Sequence, residues 1–374
     1  MKKITKSRPP APDPRPPIKV LIVEDSPVMR DLLGFILSSD PAIQVIGTAG
    51  DGAEAVREVG KKRPDIVIMD IVMPNMDGFE ATRIIMETIP TPIVIVSASW
   101  DPQEVGKTFR AMEAGALAAL AKPAGVAHPD YEQLREELIR TVKLMSEVKV
   151  VKRRSQERRK AVIPGESTAT MITPAMPDLK VVAIGASTGG PLVIEAILSR
   201  LPKGFPAPLL IVQHIAAGFV RGFADWLTIS SRLPVKIAAH GDYLLPGRVY
   251  IAPENLQMGI GNGGRIMLSG GGPENGLRPS VSWMFRSVGE AFGKNAVGVL
   301  LTGMGKDGAQ ELKLMREKGA VTIAQDRESS IVYGMPGEAV AINAAAYVLS
   351  PVGIAEFLSG WSRDRGQGCE HKKP

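Results

Sequence analysis

Residues 181–198 read VVAIGASTGGPLVIEAIL. An apolar run leads into Gly185, the turn Ala186-Ser187-Thr188-Gly189-Gly190 follows, and Pro191 opens a segment with helical periodicity. That is a strand, a tight Gly-rich turn and a helix, the repeating unit of an α/β sheet. Proline fits the first helical position, where its missing N–H costs nothing. Gly185-Ala186-Ser187-Thr188-Gly189 also satisfies G-x-S-x-G, the pattern that lifts a serine hydroxyl out at the end of a strand. A turn of this kind aims the first free N–H groups of the helix at whatever the hydroxyl attacks. The same turn serves equally to bind a phosphate or to reverse the chain.

Downstream of the turn, PLLIVQH reads as a strand ending in His214. VKIAAHGDY, GRVYIAP and GRIMLS are short, turn-separated stretches expected to form an antiparallel ribbon. AVGVLLT, the loop GMGKDG, the helix AQELKLMREKG, then VTIAQD and AYVLS resume the alternation. Residues 178–361 are thus expected to be a doubly wound α/β domain with a ribbon insertion. A nucleophilic serine needs a base, itself oriented by a carboxylate. The chain has four histidines: His128 falls in the other half and His371 in the C-terminal tail. Of the remaining two, His214 at a strand end is favoured over His240 in the ribbon. Asp307, Asp326 and, less favoured, Asp242 compete as the acid. The order Ser…His…Asp differs from the Ser…Asp…His of α/β-hydrolases.

The first half alternates in the same way. IKVLIVED, IQVIGTA, DIVIMD, PIVIVSAS and ALAALAKP read as five strands, with helices between them and a last helix from about His128. Five strands alternating with five helices imply a parallel sheet covered on both faces, with working residues at the carboxyl ends of the strands. Those ends carry Glu24-Asp25, Asp70, Ser97 and Lys122-Pro123. Three converging carboxylates repel one another unless a hard divalent cation such as Mg²⁺ sits among them. Lys122 can neutralise part of that charge and pair with a phosphoryl oxygen, and Ser97 can hydrogen-bond the same group.

Charge is unevenly placed. The basic, Pro-rich arm 1–17 carries +4 and residues 147–160 carry +5 out of a net +6, so the rest of the chain carries −3. The arm is expected to be disordered, 143–177 to be a basic, solvated linker and 362–374 a flexible tail. A nonspecific contact between the linker and an anionic surface is the alternative. No basic recognition helix marks the second half, so nucleic acid is not an expected partner. No apolar run approaches the ~20 residues of a membrane span, so no membrane insertion is expected. The N-terminus lacks the apolar core of a signal peptide and there is one cysteine, Cys369, so a cytoplasmic location is expected. A monomer is expected.

Residues 18–142, through Glu24-Asp25, MDIVMPNMDG around Asp70, Ser97 and Lys122-Pro123, resemble a response-regulator receiver domain, a flavodoxin-like fold. The resemblance implies Asp70 as phospho-acceptor, with Mg²⁺ held by Glu24, Asp25, Asp70 and the backbone carbonyl of Val72. Ala119 stands where many receivers place an aromatic switch residue, three positions before Lys122. The second half resembles the catalytic domain of chemotaxis protein-glutamate methylesterases, the CheB family. AIGASTGGP, VQHI, YIAPEN, RPSVSWMFRS, LLTGMGKDGA, AQD and YGMPGEAV carry that resemblance. It implies Ser187 as nucleophile, His214 as base, Asp307 as orienting acid and the Met304 backbone N–H as oxyanion donor, with no cofactor in this half. The implied reaction is hydrolysis of γ-glutamyl methyl esters on chemoreceptors, with deamidation of particular receptor glutamines. A chemotaxis histidine kinase is the implied phosphodonor. The unphosphorylated receiver is expected to cover the serine cleft, and phosphorylation to uncover it.

Overall fold

Short polar caps and strand-end turns set the elements of this protein. The structure is a computed structural model, which describes residues 16–97, 102–123, 125, 127, 128, 131–148, 150, 178–216 and 218–367. Residues 1–15 of the expected arm, most of the basic linker and the end of the tail lie outside the described residues. Two compact units result.

One five-stranded sheet is built on strands β1 (Ile18–Val23), β2 (Ile43–Ala49), β3 (Ile66–Met69), β4 (Ile93–Ser97) and β5 (Ala118–Ala121), in the order β2-β1-β3-β4-β5. β1 pairs in parallel with β2 and β3, and β3 with β4. Between them run helices α1 (Pro27–Ser38), α2 (Gly52–Lys62), α3 (Gly78–Thr88) and α4 (Pro102–Ala114), and α5 (Tyr131–Ser146) follows β5. Each of the first three starts where a side-chain oxygen accepts from an unpaired first-turn N–H. Ser26 accepts from Met29, Asp51 from Glu54 and Asp77 from Glu80. The Ser26 and Asp77 caps end the strand-to-helix turns that carry Glu24, Asp25 and Asp70. α5 runs to Ser146, so residues 143–146, expected in the linker, are helical.

The second unit contains β6 (Val181–Ala186), α6 (Gly190–Leu198), β7 (Leu209–Gln213), α7 (Val220–Ser230), β8 (Val235–Ile237), β9 (Val249–Ile251), β10 (Gln257–Ile260), β11 (Ile266–Ser269), α8 (Val281–Phe292), β12 (Ala296–Leu300), α9 (Ala309–Glu317), β13 (Val321–Gln325), α10 (Met335–Ala341), β14 (Tyr347–Leu349) and α11 (Pro351–Gln367). Seven strands form one sheet in the order β14-β13-β12-β6-β7-β9-β8, every neighbouring pair parallel. Strand order reverses beside β6, and such a switch point is where the carboxyl ends of open α/β sheets leave a crevice.

Two expectations change here. VKI and VYI, placed by their flanking turns in an antiparallel ribbon, are instead parallel strands of the main sheet, β8 at its edge and β9 between β8 and β7. Their connection, residues 238–248, is long enough to return the chain to the same end of the sheet, and all three residues of β9 are buried, as a parallel strand requires. The ribbon exists, but it pairs β10 with β11. The last helix continues through Gln367, so residues 362–367, expected in a flexible tail, are helical.

Candidate active site

β6 and β7 are in parallel register with Ala186 opposite Gln213, so the next residues, Ser187 and His214, stand at adjacent strand ends. The backbone holds them there: Ser187 N donates to Thr302 O (3.0 Å) and His214 N to Ala186 O (2.9 Å). The left-handed residue of the turn is Gly189 (φ 77°), and Ser187 has no positive φ. The turn therefore lacks the strained serine of an α/β-hydrolase elbow, although its sequence fits that pattern. On the other side of β6, the loop after β12 presses against the serine. A Cβ on Gly303 would lie 2.7 Å from the Ser187 Cβ and would collide with Met335 Sδ, so only glycine allows this approach. The adjoining Met304 amide meets no acceptor among the described residues, as an oxyanion donor requires.

Asp307 is 5% exposed and lies at the N-terminus of α8. Its Oδ2 accepts from His214 Nε2 (3.0 Å) and Val281 N (2.7 Å), and its Oδ1 from Ser280 Oγ (2.9 Å) and Ser282 N (3.2 Å). Burial works against ionisation, but His214, Ser282 and Val281 together hold the carboxyl below its ordinary pKa. With Nε2 committed to Asp307, Nδ1 is the imidazole nitrogen left to take a proton.

A second cluster sits at the carboxyl ends of β1 and β3 in the first unit. One carboxylate oxygen each from Glu24, Asp25 and Asp70 lies within 4.8 Å of the others. Lys122 Nζ reaches Asp70 Oδ2 at 2.9 Å and Glu24 Oε2 at 3.0 Å. Burial, then the charge of Asp70, raises the pKa of Glu24 despite Lys122. Burial likewise raises that of Asp70. Burial opposes the Lys122 ammonium too, but Asp70 and Glu24 outweigh it and raise its pKa. At the end of β4 the Ser97 hydroxyl is buried with no hydrogen-bond partner among the described residues.

Residues 182–358 match the family model described as CheB methylesterase, and residues 20–128 that of the response regulator receiver domain. A protein-glutamate methylesterase/protein-glutamine glutaminase of Syntrophus aciditrophicus is 58% identical over 341 residues, 91% of this chain and 97% of its own length. The chain belongs to the CheB methylesterase family. One of Nitrosospira multiformis is 54% identical, covering 94% of this chain and 98% of its own. The crystal structure of the Thermotoga maritima CheB methylesterase catalytic domain is 37% identical and covers 50% of this chain and all of its own, with a TM-score of 0.48.

Within this family member, the rival side chains are occupied elsewhere. His240 is exposed and its Nδ1 meets the backbone of Leu268 at 3.2 Å. Asp242 pairs with Lys236 (2.8 Å), and Asp326 caps its own turn by accepting from Ser329 N (3.0 Å). Several polar residues around the cleft went unmarked in the sequence: Gln213, Ser280, Ser282, Thr302, Gln325 and Glu311. Ser282 Oγ donates to Glu311 Oε2 (2.6 Å) and accepts from Gly308 N (2.9 Å), which braces the Asp307 loop. Thr302 accepts on Oγ1 from Val332 N and donates its own N–H to Gln325 Oε1. RPSVSW contained the signal for the serines, since two hydroxyl residues at a helix start are ready carboxylate donors. A receiver domain implies Mg²⁺-dependent phosphorylation by a phosphodonor kinase. Among the described residues no helix is long and apolar enough to cross a membrane.

Proposed function

We propose that this protein hydrolyses γ-glutamyl methyl esters of chemoreceptors and deamidates particular receptor glutamines, using Ser187, His214 and Asp307, under the control of phosphorylation at Asp70. The observation that carries the reading is the 3.0 Å His214–Asp307 hydrogen bond beside the Ser187 turn. Asp307 fixes the tautomer that keeps H on Nε2 and a lone pair on Nδ1. His214 Nδ1 takes the Ser187 proton as Oγ attacks the ester carbonyl. The oxyanion accepts from the Met304 N–H, a donor of a kind worth about 3 kcal/mol. His214 then returns the proton to the departing methoxy oxygen, and methanol leaves. Water, deprotonated by the same nitrogen, cleaves the acyl-enzyme to free glutamate and Ser187. With a glutamine substrate the leaving group is ammonia. No cofactor enters this half.

Glu24, Asp25, Asp70 and the Val72 carbonyl would hold Mg²⁺ in the receiver. The all-oxygen set and the buried Glu24 Oε2, otherwise met only by Lys122, fit a hard cation. When bound, the ion neutralises charge on the incoming phosphoryl group. Lys122 and the Ser97 hydroxyl, which has no partner among the described residues, are then free to bind oxygens of the Asp70 phosphate, whose added charge releases the inhibition exerted by the receiver. The test is methanol released from methylated receptors with and without a small-molecule phosphodonor. The phosphodonor should raise release by wild type, and Ser187→Ala should abolish release. Release surviving in Ser187→Ala would exclude this reading.

A further inference from the structure

Three buried glutamines stand near the cleft, and one differs from the others. Gln257 Oε1 accepts from Ser280 N (2.8 Å) while its Nε2 donates to Leu277 O (3.1 Å). Gln325 Oε1 accepts from Thr302 N (2.8 Å) while its Nε2 donates to Ser329 O (3.0 Å). Both amides are satisfied at both ends. Gln213 is equally buried, and its Nε2 donates to Ser187 O (2.8 Å) and His214 O (2.7 Å). Its Oε1 is buried with no hydrogen-bond partner among the described residues. Because both partners of Nε2 are carbonyl oxygens, the amide can point only this way. Oε1 lies against Gly190, where a Cβ would collide with it and come within 2.8 Å of the Ala186 Cβ.

We propose that Gln213 is a positioning residue of the esterase, whose single NH₂ group locks the backbone of the nucleophile to that of the base. Ser187 and His214 each follow the last paired residue of their strand, Ala186 and Gln213. Backbone bonding between these two strands ends with His214 N donating to Ala186 O, which leaves a gap between the Ser187 and His214 carbonyls beyond it. The Gln213 amide continues the coupling across that gap and sets how Ser187 Oγ approaches His214 Nδ1. A buried, unpaired carbonyl is destabilising, and an apolar side chain of similar size would avoid it. Geometry at the site, not stability, is what the glutamine supplies. Gly190 belongs to the same device, since any side chain there displaces Oε1.

The inference rests on Ser187 and His214 being nucleophile and base, so the full-length enzyme is assayed as Gln213→Leu, Gly190→Ala and Ser187→Ala together. Methanol release is followed against pH and substrate concentration, with thermal unfolding in parallel. Gln213→Leu should lower kcat by ~10- to 100-fold across the whole pH plateau, the size expected for a reacting group displaced by a fraction of an ångström to one ångström. KM should stay within about twofold, because substrate contacts are untouched. Gly190→Ala should lower kcat in the same manner with the glutamine still present, and it decides the matter if Gln213→Leu does not fold. An unchanged kcat in a folded variant, or a loss that only tracks the folded fraction, would overturn the proposal. An inactive Ser187→Ala beside a fully active Gln213→Leu rejects this inference alone, whereas an active Ser187→Ala rejects the underlying reading of the site.

Discussion

Asp70 in the receiver and Asp307 in the catalytic unit are almost equally buried, 3% and 5% exposed, yet their protons are held in opposite senses. Asp70 shares its strand-end edge with Glu24 and Asp25 and has Lys122 as its close cation, so burial prevails and its pKa is raised. Asp307 accepts from His214, Ser280, Val281 and Ser282, so its pKa is lowered despite its burial. Burial alone does not set the behaviour of a carboxylate; the number of donors aimed at it does. An under-supplied cluster is open to a cation and a phosphoryl group. A fully supplied carboxylate is committed before any ligand arrives, and its remaining task is to hold one imidazole.

The comparison breaks most visibly at Asp307. Asp307→Asn keeps the shape but offers an NH₂ where His214 needs an acceptor, so kcat for methanol release should fall about 10⁴-fold with the fold retained. Chelation separates the two sites next. With divalent ions removed, phosphate incorporation at Asp70 from a small-molecule phosphodonor should cease, while unphosphorylated methanol release stays within about twofold. Ser280→Ala removes both the cap of α8 and one donor to Asp307. It should cost about 1 kcal/mol in the unfolding of the catalytic unit, read by denaturant titration. The smallest effect has the opposite sign: in chelator, Asp70→Asn should stabilise the receiver by about 1 kcal/mol, or roughly 4 °C in Tm.

That advantage should depend on pH in a stated direction. Asp70 binds its proton more tightly when folded, so its contribution to stability is present below the ordinary carboxylate pKa of about 4 and is lost as pH rises through the raised folded value. The Tm gain of Asp70→Asn should therefore grow with pH from about 4 upward. Asp307 behaves in reverse: its contribution is present above the ordinary pKa and is lost as pH falls through the lowered folded value. The deficit of Asp307→Asn in the catalytic unit should accordingly shrink in acid below about pH 4.

Much of this contrast is readable from the chain. The apolar runs IKVLIV and IVIM lead straight into Glu24-Asp25 and Asp70, which places all three at strand ends. Ser187 and His214 are legible because apolar runs lead straight into them. β8 and β9 are not legible, since a three-residue apolar stretch between Gly- and Pro-rich turns has the same pattern whether its partner runs parallel or antiparallel. Choosing Asp307 over Asp326 from position alone was equally beyond the pattern; what separates them is which loop folds against α8 and which caps itself. Gln213 escapes for a related reason. A lone polar residue ending a buried strand carries no mark of the two carbonyls it will bridge.

The central claim, that Ser187 is the nucleophile served by His214, is most directly tested by labelling the full-length enzyme with a fluorophosphonate and mapping the adduct by mass spectrometry. One adduct per chain on Ser187, formed in step with the loss of methanol release and nearly absent in His214→Ala, is the expected result. An adduct on another residue, or full esterase activity after Ser187 is completely labelled, would contradict it.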